Sequence, residues 1–325
     1  MPERASITED ELASIVDSAG CPESDAIAVA VVNPDGSIVR QARGTLPDGR
    51  DMSTTMQVYG ASLTKQIVAM CVARLVNAGQ LDPDQPIAAW IADLPEWSRQ
   101  ITVRHLLHHV SGFPEETPLI EKMTELGLTH RTSDAMLTGV AAFATLDTAP
   151  GAEHHYSNIG FVTLGRIVEI VTGASLIEHV DSMVFNPLGM NQSQLWNGPA
   201  LHPPGANPLD PAHPAPHSLG DGGMWTTADD LTRWITAMNA DAFGTRELMM
   251  TQIDLSDSTP LNYAWGVQVR QEDDVTFCSH GGGWHGSISH MAWLPDRSSG
   301  YIAFTRTGGE PLEKVTTALR QHLTA

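Results

Sequence analysis

The sequence predicts an α+β protein with one sheet assembled from both ends of the chain and a mostly helical lobe inserted between them. Two observations carry this. Apolar strand-like runs occur at residues 26–32 and 37–40, then not again until residues 263–270, 275–279, 287–294 and 301–305. Between residues 81 and about 220 the texture changes to short helical pieces and many prolines, with no convincing strand. No repeat and no interdomain linker is visible. The expected units are residues 1–80 with 221–325, carrying the sheet, and residues 81–220, forming the helical lobe.

Taken in order, Thr8 and Glu11 form a capping box that starts an amphipathic helix through Leu12, Ile15 and Val16, ended by Gly20. Residues 26–32 read as a buried strand, Asn33-Pro34-Asp35-Gly36 as a turn and residues 37–40 as the returning strand. The short apolar run Gln57-Val58-Tyr59 leads into Gly60-Ala61-Ser62-Leu63-Thr64-Lys65-Gln66. That stretch opens a buried helix over residues 67–76, stopped at Asn77-Ala78-Gly79. In the lobe, a short capped helix over residues 102–109 halts at Ser111-Gly112-Phe113-Pro114, and Glu115-Glu116 read as a solvated loop. Helices follow at residues 133–144, 157–171 (closed by Gly173) and 175–184, and then a long surface loop at 199–223. Thr227 starts a helix through Leu231, Trp234, Ile235 and Met238. Residues 295–300 form a hairpin connection, and residues 310–323 close the chain as a helix.

Composition narrows the function classes. The 325 residues are 42% hydrophobic and 17% charged, an ordinary globular balance. A formal net charge of −20 repels phosphates and anionic membranes, and no basic run suggests a nucleic-acid site. No apolar run is long enough to span a bilayer, and the first ten residues hold no apolar signal core. The expectation is a cytoplasmic protein without a nucleic-acid or membrane partner; the oligomeric state is left open. Cys21, Cys71 and Cys278 are odd in number and far apart, which makes neither a disulfide framework nor a metal pair. Cys71 falls on the apolar face of its helix and is assigned to packing.

Ser62 and Lys65 lie three apart, so their side chains share a helical face. A hydroxyl beside an amine is a nucleophile with its base. Ser62 also sits where free N–H groups and the positive helix dipole gather, which suits an oxyanion. For Lys65 to act as a base near neutral pH it must shed its proton inside the fold, at a differential cost of about 3–5 kcal/mol. The pair alone has little specificity, because Ser is a common cap and Lys a common surface residue. Two other stretches add to it. In Pro150-Gly151-Ala152-Glu153-His154-His155-Tyr156-Ser157-Asn158, a loop enters a helix that Ser157 or Asn158 caps. Tyr156 precedes the cap, either as a phenol relaying protons beside Lys65 or as a half-buried aromatic. In Ser279-His280-Gly281-Gly282-Gly283-Trp284-His285-Gly286, glycines between two strands point to a close approach to the backbone, with a plain flexible turn as the alternative. His280 there either orients the Tyr156–Lys65 pair, donates to substrate, or has no role.

With these three stretches in this order, the chain resembles the serine beta-lactamase and penicillin-binding family, in its class C, DD-peptidase, esterase and D-aminopeptidase branch. Ser62-Leu63-Thr64-Lys65 is similar to that family's nucleophile motif, Tyr156-Ser157-Asn158 to its Tyr-x-Asn motif, and His280-Gly281-Gly282 stands in the place of its Lys-Thr-Gly strand. Residues 103–112 and 222–231 resemble two further recurrent segments. The resemblance implies a beta-lactamase/transpeptidase-like fold, an antiparallel sheet flanked by helices, with the site between sheet and lobe. It implies acylation of Ser62, proton traffic through Lys65 and Tyr156, and Asn158 holding the substrate or Lys65. It also implies an oxyanion hole from the N–H groups of Ser62 and of a residue by Gly283, which sets Gly282 and Gly283 at the substrate. Read from the residues, Trp284 beside these glycines is the best candidate among the tryptophans to line an acyl pocket. His280 departs from the family's lysine, which attracts the carboxylate of a beta-lactam. That favours esterase, D-amino-acid amidase or peptidase, or acyltransferase chemistry over efficient beta-lactamase activity.

Three rivals are weaker. An alpha/beta-hydrolase elbow needs a glycine where Thr64 stands. A metal hydrolase would draw on His105, His108 and the other histidines, but no tight ligand set appears. A non-catalytic binding module would be expected to lose Ser62, Lys65 or Tyr156. Trp225, Trp265 and Trp293 are assigned to the core. The expectation is therefore a serine hydrolase acting on a small ester or amide through an acyl-enzyme, with no metal or organic cofactor.

Overall fold

A computed structural model describes residues 6–20, 25–272, 274–306 and 309–324. Cys21 and Met1–Ala5, which entered the reading of disulfides and signal sequence, lie outside the described residues. Six strands build the main sheet: β1 (Ile27–Val32), β2 (Ile38–Arg43), β3 (Gln268–Glu272), β4 (Val275–Trp284), β5 (Ser287–Leu294) and β6 (Ser299–Thr305). Their order is β2-β1-β6-β5-β4-β3, antiparallel throughout. The first hairpin thus pairs with the last strand, Val29 opposite Ala303, and one sheet draws on both ends of the chain.

Strand β1 reads as an unbroken apolar run because both of its faces are covered. Ile27, Val29 and Val31 point into one core with Leu12 and Val16 of helix α1 (Glu9–Ser18) and Val315 and Leu319 of the closing helix. Ala28, Ala30 and Val32 point into the other, where helices α2 (Thr64–Asn77) and α5 (Ala228–Asn239) lie. The alternation of side chains along a strand makes this division. The Thr8–Glu11 capping box is formed, and Asn33 ties residue 7 to the first turn through two hydrogen bonds of 3.0 Å. Closing helix α6 spans Gly309–Thr324.

Within the lobe, α3 (Glu116–Glu125) and α4 (Asn158–Thr172) matter for the site. Thr102 caps the short helix Val103–Leu107, Ser157 caps α4, and Gly173 ends it at φ 71°, as their positions in the sequence suggest. Helix α4 packs on α2, which therefore faces the lobe with one side while Gln66 anchors it on another. The Gln66 amide oxygen accepts from the indoles of Trp234 on α5 (3.4 Å) and Trp293 on β5 (3.2 Å), which fixes the rotation of α2 one residue after Lys65. Among the described residues no single helix is long and apolar enough to cross a membrane.

Four local expectations are corrected. Glu116 is not in a solvated loop but starts α3. The glycine stretch is not a link between strands: it is the second half of β4, and the turn falls at His285-Gly286. Residues 199–223 do not simply run over the surface, because Asn207, Ser218 and Asp221 are buried. The lobe region also contributes a strand, Gln194–Leu195, paired with Met224–Thr226, which in turn pairs with Val58–Tyr59.

Candidate active site

The turn that carries Ser62 is strapped on both sides. Val58–Tyr59 pairs with Met224–Thr226, Gly60 N–H donates to the Met224 carbonyl (2.8 Å), and Ser287 Oγ donates to the Tyr59 carbonyl (2.7 Å). Ser62 lies in a 3₁₀ turn, Ala61–Leu63, that runs directly into α2, rather than on the α-helix itself. Ala61 takes φ 46°, a left-handed conformation that costs a β-carbon-bearing residue about 1–3 kcal/mol. Thr64 Oγ1 donates to the Ala61 carbonyl (2.7 Å) and receives Met224 N–H (3.2 Å), so surrounding bonds hold this strained step.

Lys65 is fully buried and its Nζ has three oxygen neighbours: the Asp221 carbonyl at 2.7 Å, Asn158 Oδ1 at 2.9 Å and Ser62 Oγ at 3.1 Å. The first two accept hydrogens and cannot give them. In a neutral amine they claim both N–H bonds, and the lone pair is left facing the Ser62 hydroxyl. Asp221 enters this set only through its backbone, which no side-chain pattern announces.

Tyr156 is brought beside Lys65, but by its ring. Nζ lies 4.8 Å from the ring centroid, and the phenol oxygen makes no hydrogen bond to Lys65 or Ser62. The side chain is 47% exposed. The expected phenol relay is therefore not formed in this arrangement. Instead, the face of the ring covers Lys65 Nζ. His109, buried and at φ 58°, lies against Tyr156 (centroids 4.3 Å apart) and accepts Ser157 N–H at 3.0 Å, placing the entry to α4. Burial, with Lys65 nearby, holds His109 well below the ordinary imidazole range.

His280 lies on β4 within the influence of Lys65, but neither ring nitrogen is free. Nδ1 donates to the Gly281 carbonyl (2.5 Å), and Nε2 accepts from the hydroxyl of buried Tyr263 (2.9 Å). Burial first, and then the charge of Lys65, push His280 down to about 3, so the ring is neutral. It braces the strand rather than presenting a charge. Sequence reading missed Tyr263, whose partner lies 17 residues on. Histidines weighed as metal ligands have structural work: His105 Nδ1 accepts Thr102 N–H, while His108 bonds the Tyr263 carbonyl and the Trp265 indole.

The close approach expected at the glycines comes from the chain itself. A β-carbon at Gly282 would stand 2.4 Å from the Gly60 carbonyl oxygen and 2.5 Å from Ser289 Oγ. At Gly283 nothing lies within 4 Å, and the residue is exposed. Trp284 donates its indole N–H to the carbonyls of His213 (2.9 Å) and Pro214 (3.2 Å), tying residues 213–214 to the end of β4. Glu116, not among the expected site residues, accepts from Asn158 Nδ2 at 2.5 Å and pairs with Arg131 at 2.6 Å.

The profile of the beta-lactamase family matches residues 21–325. The chain belongs to the beta-lactamase family. Penicillin-binding protein 4 of Amycolatopsis lactamdurans is 30% identical over 318 residues, 87% of this chain and 80% of its own. Esterase EstB of Burkholderia gladioli is 31% identical over 262 residues, 66% of each chain. This chain spans between 37% and 66% of the length of the first curated relatives that it matches. The solved D-amino acid amidase of Ochrobactrum anthropi SV3 superposes with a TM-score of 0.77 over 97% of this chain and 99% of that one at 19% identity, a likeness of fold. The architecture is thus the beta-lactamase/transpeptidase-like α+β fold expected from the sequence.

Proposed function

We propose that the protein is a serine hydrolase that forms an acyl-enzyme on Ser62 from a small ester or amide. One observation carries this: the Asp221 carbonyl and Asn158 Oδ1 reserve two positions on Lys65 Nζ and leave the third to Ser62 Oγ at 3.1 Å. Lys65 takes the hydroxyl proton as Ser62 attacks the substrate carbonyl, and the proton then passes to the leaving alcohol or amine as its bond to carbon breaks. Water repeats the sequence on the acyl ester and frees the acid. The N–H groups of Ser62 and Gly283 receive the oxyanion, a term worth about 3–4 kcal/mol per donor.

His280 sets the substrate class. With no strand cation there, and with Arg131 already paired to Glu116, the site favours acyl compounds without a carboxylate beside the scissile bond. Esters and D-amino-acid amides or peptides fit that description better than beta-lactams. The EstB relative supports the ester reading. Acyl transfer uses the same intermediate with another nucleophile in place of water.

Intact-mass measurement tests this with a fluorophosphonate, p-nitrophenyl acetate, a D-phenylalanine amide and a cephalosporin. Wild type gains one covalent adduct on Ser62 and turns over the ester or the amide faster than the cephalosporin. Ser62→Ala gains none and loses turnover. A Ser62→Ala variant with normal turnover overturns the assignment.

A further inference from the structure

Asn158 opens α4 and carries an amide whose two ends are nearly alike in shape but opposite in hydrogen bonding. Lys65 requires an acceptor from it, since a donor there would compete with the Ser62 hydroxyl for the amine lone pair. Nothing about Asn158 alone selects that orientation. Glu116 does: its Oε2 lies 2.5 Å from Asn158 Nδ2, and a carboxylate only accepts. The amide nitrogen must then face Glu116 and the carbonyl oxygen must face Lys65, at 2.9 Å. The other carboxylate oxygen, Oε1, is held by Arg131 Nη2 at 2.6 Å, which keeps Glu116 pointing at the amide.

We infer that Glu116 is a positioning residue: it locks the orientation of the Asn158 amide and, through it, aims the Lys65 lone pair at Ser62. The inference rests on the proposed roles of Ser62 and Lys65. Glu116 touches neither the nucleophile nor the base. The Glu116 and Arg131 side chains are 40% and 21% exposed, so their ion pair adds little to stability. Loss of Glu116 frees the amide to turn over, and the consequence falls on the chemical step.

The test compares wild type, Glu116→Ala, Glu116→Gln, Asn158→Ala and the double variant Glu116→Ala/Asn158→Ala. Each is measured for p-nitrophenyl acetate hydrolysis, fluorophosphonate labelling of Ser62 and thermal melting. Glu116→Ala lowers kcat about ten- to a hundredfold, the range for a hydrogen bond to a charged group, with KM and Tm little changed. Glu116→Gln offers one acceptor oxygen to two donors, Asn158 Nδ2 and Arg131, and can turn its own NH2 toward Asn158, so it recovers little of the loss. In the Asn158→Ala background, Glu116→Ala has less than about a twofold effect, because residues acting through one another are not additive. The inference is overturned if the two single losses multiply in the double variant, if Glu116→Ala equals wild type, or if Glu116→Gln equals wild type. Labelled wild type with any of those results overturns the role of Glu116 alone. Wild type that never labels at Ser62 overturns the nucleophile assignment and this inference with it.

Discussion

Gly282→Ala tests how the sheet positions Ser62. The added methyl would sit 2.4 Å from the Gly60 carbonyl oxygen and 2.5 Å from Ser289 Oγ, while ordinary contact begins at 3.4 Å. Ser289 Oγ can rotate away, but Gly60 is backbone. Its carbonyl also receives Leu63 N–H at 3.0 Å, closing the turn that carries Ser62. Strand and turn must therefore separate by roughly 0.6–1 Å. Gly283, one residue on, is the proposed oxyanion donor, so the shift opens the gap between the two donors. A displacement near 1 Å costs about a hundredfold in rate, and the forced contact costs about 1–3 kcal/mol in stability. Gly281→Ala is the matched control, because its methyl would meet only the Ser289 carbonyl at 3.5 Å. The assays are kcat/KM for p-nitrophenyl acetate and the urea midpoint, with fluorophosphonate labelling as the report on Ser62. Equal kcat/KM and midpoints for the two alanine variants would refute the reasoning.

Two further outcomes follow from buried groups. Tyr263→Phe removes the hydroxyl that donates to His280 Nε2 and leaves a buried acceptor without a partner, at a cost of about 1–3 kcal/mol in the urea midpoint; an unchanged midpoint counts against the bracing role of His280. Stability also depends on pH. Burial, the largest cause in each case, pushes His108 and His290 down to about 4 and His280 to about 3. Above pH 6.5 neither the native nor the unfolded form of these rings binds a proton, and stability is at its full value. As pH falls below 6.5 the unfolded chain takes up protons that the native protein refuses. Each ring then withdraws up to about 1.4 kcal/mol per pH unit, until its own folded value is reached. Melting temperatures measured from pH 8 to 4.5 stay level above pH 7 and fall steadily below 6.5; a constant Tm down to pH 5 contradicts the burial of these imidazoles as neutral groups.

Much of this molecule is written locally. The Ser62–Lys65 spacing, the caps at Thr8, Thr102, Ser157 and Thr227, and the apolar run of β1 depend on neighbours a few residues away. A single chain displays such relations directly, because helical and strand periods fix which side chains share a face. The same locality made the Tyr-x-Asn and glycine stretches recognisable as motifs. It also misled in places. Consecutive glycines read as a link between strands, whereas they lie inside β4, and steric exclusion against Gly60 keeps one of them, Gly282, free of a side chain.

What the sequence by itself determined is the inventory of candidate groups and the three-residue spacing that brings Ser62 and Lys65 together at the start of a helix. Tertiary structure alone decided how those groups are oriented. The Asp221 carbonyl on Lys65, 156 residues apart, the Glu116 carboxylate on Asn158, 42 apart, and the ring rather than the oxygen of Tyr156 facing the amine are all long-range outcomes. Hydrogen-bond direction depends on where acceptors come to rest in space, and chain separation carries no record of it. For that reason the candidate nucleophile and base were legible before folding, and the groups that aim them were not.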